Sequence, residues 1–180
     1  MALFFVADPT VTRPVRAGLL KTWTDASNAG GAIGFVPPVS PLDVEPILDE
    51  QLAAVADGRI RMVVGLDGDQ VRAAGFLESN SHRLMQHWVW ATTIMVHPTA
   101  QGRGAGFALM LALGSLARSM PGIEAVRLSC RGGLGLEHFY ARCGYKEVGR
   151  VPGAIRVGHG DDRDDITMLL TLESRSHPER

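Results

Sequence analysis

The segment that decides the fold of this chain reads His97-Pro98-Thr99-Ala100-Gln101-Gly102-Arg103-Gly104-Ala105-Gly106. It follows a run of aromatic and β-branched residues, Trp88 to Val96, and precedes an apolar run, Phe107 to Arg118. These patterns predict a strand, a glycine loop from Gln101 to Gly106, and then a helix. Because the helical run is apolar on nearly every side, we expect that helix to be buried.

A glycine loop between a strand and a helix can bind phosphate groups. Glycines let backbone N–H groups approach phosphate oxygens, and a helix N-terminus adds unpaired donors and a favourable dipole. An ATP-type loop ends in Gly-Lys-Ser or Gly-Lys-Thr, and this loop has no lysine. A dinucleotide fingerprint would need a glycine at the position of Phe107. A tight turn that holds no ligand uses the same glycines, so that interpretation also stays open.

Outward from this loop, the residue patterns predict a mixed α/β sheet in a single domain. Strands are expected at 2–6, 59–66, 71–78, 88–96, 123–129, 145–150 and 165–172, and helices at 10–27, 44–56, 107–118 and 134–142. We expect Asp43 to cap the second helix and residues 152–164 to form a loop. Three consecutive strands before the glycine loop favour a mostly antiparallel sheet flanked by helices. The domain is expected over 1–173, with a flexible tail at 174–180.

Composition and charge exclude several classes of protein. The chain has 180 residues, 46% hydrophobic and 21% charged, as in an ordinary globular domain. A net charge of −1 indicates no general nucleic-acid surface, and no apolar run reaches the ~18 residues of a membrane span. Cys130 and Cys143 are expected to be free thiols, and no signal peptide is evident, so the expected location is cytoplasmic. No set of His, Cys and carboxylates has the spacing of a metal site.

The middle of the chain is locally basic. Residues 101–156 carry eight Arg and Lys against three Glu, a local charge of +5. Such an excess suits an anionic small ligand, although solvated surface explains it equally well. The glycine loop lies at the start of this basic region.

Two motifs in this order resemble those of the GNAT N-acetyltransferases. Gln101-x-x-Gly104-x-Gly106 after Ile94-Met95-Val96-His97-Pro98 is similar to the acetyl-CoA loop of that family. Glu137-His138-Phe139-Tyr140-Ala141-Arg142-Cys143-Gly144-Tyr145 looks like its tyrosine-bearing helix and turn. Residues 30–35, 82–83 and 148–153 resemble segments of the tabtoxin-resistance-like acetyltransferases. Together the resemblance covers most of the chain from 28 to 172.

The resemblance implies how acetyl-CoA would bind. In such enzymes the strand before the loop separates from its neighbour, and its free backbone groups pair with the pantetheine arm, which implicates Ile94, Met95 and Val96. The Val96 N–H could also polarise the thioester carbonyl. The pyrophosphate would lie on Gln101, Gly102, Arg103, Gly104, Ala105 and Gly106. A plain core strand is equally compatible with Ile94 and Val96.

The resemblance also makes Tyr140 the candidate general acid. An amine that attacks the thioester expels a CoA thiolate, and a phenol within hydrogen-bond reach can protonate that sulfur. The pKa of a thiol is about 8.5 and that of a phenol about 10. A buried structural tyrosine is the alternative interpretation.

The general base is where this sequence departs from the family. Related enzymes carry a glutamate on the strand before the loop, at the position of Trp90. Because Trp88 and Thr92 share that strand face, we expect no carboxylate locally. An ammonium with a pKa near 8 is already about 10% neutral at pH 7, so a base could be dispensable. His87 or His82 acting through a water chain is the alternative.

The acceptor side has five candidate residues. Gly34 and Phe35 belong to a glycine-rich loop that closes over the acceptor in this family, and His87, Trp88 and Trp90 precede or begin the cofactor strand. The two tryptophans favour a bulky, aromatic acceptor site, or they simply fill a hydrophobic face. The run Asp161-Asp162-Arg163-Asp164-Asp165 could attract a cationic amine, although a solvated turn explains it as well.

The sequence therefore predicts an enzyme that transfers acetyl from acetyl-CoA directly to a primary amine of a small molecule, without a metal. The alternative is a catalytically weak acyl-CoA-binding or regulatory protein of the same fold, which Trp90 supports. A nucleotide-binding module is a third interpretation. No nucleic-acid or membrane partner is expected, and an exposed edge strand could form a homodimer. The identity of the acceptor stays open, a protein amine included.

Overall fold

The computed structural model describes residues 3–172, which form seven strands and four helices in the order β-α-α-β-β-β-α-β-α-β-β. The strands are β1 (Phe4–Ala7), β2 (Ile60–Asp67), β3 (Gln70–Ser79), β4 (Trp88–Val96), β5 (Ala125–Arg131), β6 (Lys146–Gly158) and β7 (Asp161–Thr171). The helices are α1 (Arg13–Asn28), α2 (Pro41–Ala56), α3 (Ala105–Ser119) and α4 (Leu136–Arg142). Short 3-10 turns lie at Arg83–Met85 and Pro98–Ala100. The predicted tail at 174–180 lies outside the described residues.

The strands form one sheet in the order β1-β2-β3-β4-β5-β7-β6. Every neighbouring pair is antiparallel except β4 and β5, which are parallel. The predicted fold class, a mixed and mostly antiparallel sheet flanked by helices, is confirmed. The connection between the parallel strands contains the glycine loop and α3, as a parallel pair requires a crossover.

Helices cover both faces of the sheet, and each face has its own core. On one face α1 and α2 bury Leu19, Trp23 and Leu48 against strand residues such as Phe76. On the other face α3 and α4 pack against the sheet, with Leu109, Leu113, Val126 and Tyr140 in one buried cluster. Side chains of one strand alternate between these two cores because successive Cβ atoms point to opposite faces.

The start of α2 differs from the prediction. The N-cap is Ser40, and Asp43 is the third helical residue, where its Oδ2 accepts a hydrogen bond from the backbone N–H of Ser40 at 2.8 Å. Proline at the first position, Pro41, suits this start because its missing N–H would be unpaired there anyway. The prediction of Asp43 as the cap was wrong because a capping box puts its acidic residue three positions inside the helix.

The helix after the glycine loop is only partly buried. Phe107 and Leu111 are 44% and 57% exposed, whereas Leu109 and Leu113 are fully buried. The expectation of a helix buried on every side was therefore wrong. One side of α3 packs on the sheet, and no other element of residues 3–172 covers the opposite apolar side.

The predicted loop at 152–164 is instead a long hairpin of β6 and β7. The strands join through His159-Gly160, with Gly160 in the left-handed region at φ 75°. Arg156 forms an ion pair with Asp162 at 2.7 Å across the hairpin. The glycine-rich, charged composition indicated a loop, but cross-strand charge pairs and a two-residue turn stabilise a hairpin.

Within residues 3–172, every helix is too short or too polar to span a membrane.

Candidate active site

Strands β4 and β5 separate after a short paired segment. They pair only where Trp88, Val89 and Trp90 meet Ala125, Val126 and Arg127. Strand β4 then continues to Val96 and β5 to Arg131 without pairing to each other. The backbone groups of β4 that face this gap are therefore not used by a sheet partner, which is the separation that the family resemblance implied.

A β-bulge reorients β4 within the gap. Phe76 lies opposite Thr92 and Ala74 opposite Met95, so three steps along β4 match two along β3. The extra residue of β4 lies between Thr92 and Met95, and this segment contains Thr93, whose φ is +47°. A β-branched residue in the left-handed region is an outlier that its surroundings must hold in place. Gln51 of α2 does so, because its Nε2 donates to Thr93 Oγ1 at 3.2 Å.

The glycine loop forms a cradle at the N-terminus of α3. Gly102 and Gly104 have φ of 71° and 80°, and Gly104 is the N-cap without a capping side chain. The first N–H groups of α3 have no intrahelical partner, so they can bind an anion. At Gly106 an added Cβ would lie 3.3 Å from Phe139 Cζ, which explains why a glycine suits this close packing. The cradle thus fits a pyrophosphate.

A groove of about 800 Å³ runs beside this cradle. Its lining comes from the end of β4, the loop, α3 and α4, and consists of Val96, Gln101, Gly102, Gly104, Gly106, Phe107, Phe139 and Arg142. Arg142 supplies positive charge there. Arg103 and Ala105, also predicted for the cofactor, line a smaller neighbouring depression instead. The Gln101 side chain donates to the Val96 carbonyl at 2.9 Å and so braces the loop against β4.

A buried histidine fixes the beginning of the loop. His97 is 6% exposed, and its Nε2 lies 3.0 Å from Asp25 Oδ2 of α1. Its Nδ1 lies 2.8 Å from Thr99 Oγ1. The pKa of Asp25 is lowered, first by a hydrogen bond from Lys21 and then by the one to His97, so its carboxylate stays charged. This contact ties α1 to the loop.

A second cavity, of about 510 Å³, lies on the α1 and α2 side and is called the acceptor cavity below. Of the predicted acceptor residues, Gly34, Phe35 and Trp90 line it. Trp88 does not; it is buried, with its ring centroid 5.1 Å from that of Trp90. His87 is exposed and outside the lining, and the side chain of His82 accepts from the Leu84 N–H at 3.3 Å.

Sequence reasoning missed several residues that line the acceptor cavity, among them Trp23, Glu50, Gln51, Arg59 and Glu78. Strand β4 itself supplies no carboxylate, and the carboxylates of the cavity come from α2 and β3. Glu78 lies directly opposite Trp90 in the β3–β4 ladder. A register count could have found it, but the long connection between the two strands hides that register.

The acceptor cavity and the groove adjoin at the gap between β4 and β5. Ile94 lines the cavity and Val96 the groove, two residues apart on β4. On α4, Tyr140 lines the cavity and Phe139 the groove. Met95, between the two β4 residues, has its side chain buried in the α1–α2 core, so only its backbone can face a ligand.

Tyr140 is buried at this junction. Its ring packs edge-on against Phe139 and Tyr145, at centroid distances of 5.2 and 6.0 Å. Burial raises the pKa of Tyr140 well above the usual phenol value because the phenolate would lose its hydration. The phenol therefore retains its proton at neutral pH.

The basic excess noted in the sequence is partly neutralised by the hairpin. Arg150 pairs with Glu147 and Asp164, each at 2.9 Å, and Arg156 pairs with Asp162. The acidic run at 161–165 thus serves strand pairing. No trio of His, Cys, Asp and Glu close enough for a metal occurs between residues 3 and 172.

Comparison with protein families assigns the chain. The model of the Acetyltransferase (GNAT) family matches residues 33–145. The chain therefore belongs to this family of acetyl-CoA-dependent acetyltransferases. The matched range contains the glycine loop, the gap and Tyr140. Among curated proteins no significant match is found.

Solved structures share the whole fold at low sequence identity. The yncA protein of Salmonella typhimurium, solved with its cofactor acetyl-CoA, has a TM-score of 0.76 and 18% identity over 99% of both chains. A ribosomal-protein-alanine N-acetyltransferase of Brucella melitensis has a TM-score of 0.75 and 20% identity, over 94% of this chain and all of its own. An N-acetyltransferase of Staphylococcus aureus has a TM-score of 0.77 and 13% identity, over 94% and 99%. At such identities the likeness concerns the fold.

Proposed function

We propose that the protein transfers acetyl from acetyl-CoA directly to a primary amine of a small molecule, with Tyr140 as the proton donor to the leaving thiolate. The observation that carries this proposal is the meeting of two cavities at the β4–β5 gap, with Tyr140 between them. A direct transfer needs both substrates at one point, approaching from different sides. The resemblance of residues 30–35 and 148–153 favours the tabtoxin-resistance-like subgroup.

Acetyl-CoA would bind along the groove. The N-terminus of α3 with Gly102 and Gly104 would hold its pyrophosphate, and the free edge of β4 from Ile94 to Val96 would pair with the pantetheine amides. Arg142 supports this assignment because it brings a positive charge to the groove. Acetyl-CoA supplies an activated thioester.

Tyr140 would complete the reaction at the sulfur. Its neutral phenol can donate a proton to the departing CoA thiolate, and its burial beside the gap keeps water from competing. No covalent acyl-enzyme is needed. Cys130 is an unsuitable nucleophile because burial raises the pKa of its thiol to about 11.

A catalytically weak acyl-CoA-binding protein is the second candidate. It is favoured by Trp90, which stands where related enzymes carry glutamate. The carboxylates of Glu50 and Glu78 in the acceptor cavity support turnover over simple binding, since an amine acceptor arrives as a cation.

Thermal unfolding with acetyl-CoA, NAD or ATP, followed by an amine panel, tests the proposal. A ligand at 100 times its Kd stabilises the folded state by about 2.7 kcal/mol, so acetyl-CoA alone should raise the Tm by several degrees. Product formation with an amine then supports the enzyme. Acetyl-CoA binding without any acetylated product would favour the second candidate, and no binding would contradict both.

A further inference from the structure

One row of residues crosses three strands where β4 and β5 begin to separate. Glu78 of β3 lies opposite Trp90 of β4, and Trp90 lies opposite Arg127 of β5. Trp90 is also the last residue of β4 that pairs with β5. Opposed residues of neighbouring strands share a face, with Cβ atoms about 5 Å apart. Glu78 therefore lies on the strand next to Trp90, at the point where the gap between β4 and β5 opens.

Glu78 carries a charge that the described part of the chain does not pair. Its side chain forms no ion pair within residues 3–172, whereas Asp8, Asp25 and Asp49 each contact a cation. Glu50 of α2 also lines the cavity, and it too has no ion pair in that range. The lining thus presents two carboxylates to whatever enters.

Two neutral oxygens in the same lining also lack partners. Gln51 Oε1 and Thr92 Oγ1 are buried and have no hydrogen-bond partner among the described residues. An unpaired buried polar oxygen is costly unless a ligand satisfies it. A primary ammonium, with three N–H donors, could satisfy these oxygens and a carboxylate together.

The remaining walls are mostly apolar, with aromatic residues among aliphatic ones. Trp23, Phe35 and Trp90 line the acceptor cavity, and the rings of Trp23 and Phe35 pack edge to face at 5.9 Å. Such walls suit the apolar body of an amine, and ring faces also attract cations.

The cavity offers no unpaired cation to an anionic group. Of the described lining residues, Arg59 is the only cation, and it pairs with Asp57 at 3.2 Å. Arg127 is outside the lining, and its guanidinium lies over the rings of Trp88 and Trp90 at 4.5 and 4.9 Å. A carboxylate beside the acceptor amine would therefore meet Glu50 and Glu78 without an unpaired cation in the lining.

We propose that the acceptor is a primary ammonium on an apolar or aromatic body without a neighbouring carboxylate, and that Glu78 binds this ammonium and accepts its first proton. The proposal rests on the proposed function and adds the acceptor class. It puts the base on β3, opposite Trp90, in place of the glutamate missing from β4.

The proton balance of the reaction is complete with these residues. The ammonium gives one proton to Glu78, which returns it to water at the exposed mouth of the cavity. The amine nitrogen then forms a bond to the thioester carbon, and the carbon–sulfur bond breaks. Tyr140 gives its proton to the sulfur, and the second proton of the former ammonium restores the phenol. The products are a neutral amide, CoA thiol and one proton in solvent.

Matched acceptors and variants test this inference. Steady-state acetylation is measured for phenethylamine against phenylalanine and for tryptamine against tryptophan, which differ only by the carboxylate. We expect kcat/KM to be at least about tenfold higher for each amine, since one unfavourable charge contact of this kind is worth a factor of that order. Glu78→Gln should lower kcat/KM for both amines at least about tenfold. It should also remove the fall of kcat/KM at acidic pH.

Glu124→Gln is the matched control, because Glu124 is exposed and outside the cavity. It should leave all these parameters unchanged. The other charged or titratable groups around Glu78 are Glu50, Arg59 and Tyr140 of the cavity lining and Arg127 of β5 in the same row. Glu50→Gln is therefore measured beside it. Glu50→Gln should raise KM and retain the acidic fall. The acetyl-CoA shift in Tm, measured for every variant, verifies folding and cofactor binding.

Three results would overturn the inference, and they are distinguishable. A preference for the amino acids that disappears in Arg59→Gln would assign the cavity to zwitterions. If the wild type is active and Glu78→Gln has an unchanged pH profile and kcat/KM, Glu78 is not the base, and the proposed function still stands. A wild type that binds acetyl-CoA and acetylates no amine would remove both.

Discussion

The Gln51 side chain of α2 donates a hydrogen bond of 3.2 Å to Thr93 Oγ1, and Thr93 is the one non-glycine residue of β4 with a positive φ. Gln51 also lines the acceptor cavity, and Thr93 lies in the gap along which acetyl-CoA would pair. Both residues line the acceptor cavity, and Thr93 directly precedes the β4 segment from Ile94 to Val96 that leads to the groove.

This contact predicts a coupling that depends on strain. The left-handed conformation costs a non-glycine residue about 1–2 kcal/mol, so Thr93 needs the Gln51 bond to keep it. Gln51→Leu should weaken acetyl-CoA binding severalfold, measured by titration calorimetry. In a Thr93→Gly background, where the backbone adopts this conformation freely, the same substitution should have little further effect. Equal losses in both backgrounds would mean that Gln51 acts independently of Thr93.

Tyr140 and Tyr145 provide a matched pair for the catalytic proposal. Both are buried and their rings pack at 6.0 Å, but only Tyr140 lines the acceptor cavity. Tyr140→Phe should lower kcat at least about tenfold and leave the acetyl-CoA Kd nearly unchanged. Tyr145→Phe should leave kcat unchanged. An unaltered kcat in Tyr140→Phe would end its assignment as the general acid.

Tyr145→Phe should also preserve or increase stability. The Tyr145 hydroxyl is buried and has no partner among the described residues. Removing an unsatisfied buried hydroxyl spares its desolvation penalty, which is about 1–3 kcal/mol. Urea unfolding should therefore give an unfolding free energy equal to or above that of the wild type. A clear loss of stability would indicate that the hydroxyl has a partner after all, such as an ordered water.

Alkaline pH should destabilise the protein through the same two tyrosines. Burial raises the pKa of both above the usual phenol value, and they are the only tyrosines of the chain. Below pH about 10 the tyrosines are protonated in the folded and the unfolded state, so they make no contribution to the pH dependence of stability. Above it the unfolded state ionises first, so the unfolding free energy falls by up to about 1.4 kcal/mol per pH unit for each tyrosine.

Absorbance at 295 nm provides the measurement for this pH dependence. Tyrosinate should form in the folded protein only together with unfolding, and each Phe variant should reduce the slope of stability against pH. A folded protein that titrates with an ordinary phenol pKa would contradict the burial effect.

The glycine cradle predicts a separation between stability and binding. Gly104 and Gly122 both have positive φ, of 80° and 75°, and open space at the Cβ position. Alanine at either should cost about 1–2 kcal/mol of stability, because the conformational penalty is the same. Only Gly104→Ala should also weaken acetyl-CoA binding, at least about tenfold, since only Gly104 begins α3 at the groove. Equal acetyl-CoA affinities in both variants would remove the cradle from the cofactor site.

The sequence by itself determined the local parts of this protein. The β-branched run at 88–96 is a strand with the predicted bounds, and glycines at 102 and 104 mark the turn into a helix because only their φ suits it. Local patterns also indicated the family, because the loop motif and the helix that contains Tyr140 are each one contiguous segment. Composition misled at 107–118, where the apolar helix is buried on one side only, and at 152–164, where cross-strand charge pairs outweigh a loop-like composition.

Only the tertiary structure decided which residues share the acceptor cavity. Glu78, Gln51 and Trp23 belong to one strand and two helices that are far apart in the chain. The pattern of a single segment therefore cannot show that these residues lie close together. The register of β3 against β4 shifts at a bulge, and Gln51 of α2 donates a hydrogen bond to Thr93 within that bulge. Sequence periodicity indicates whether a segment forms a helix or a strand and which of its faces is buried. A binding cavity is formed by contacts between elements, and these contacts are set by packing and strand register.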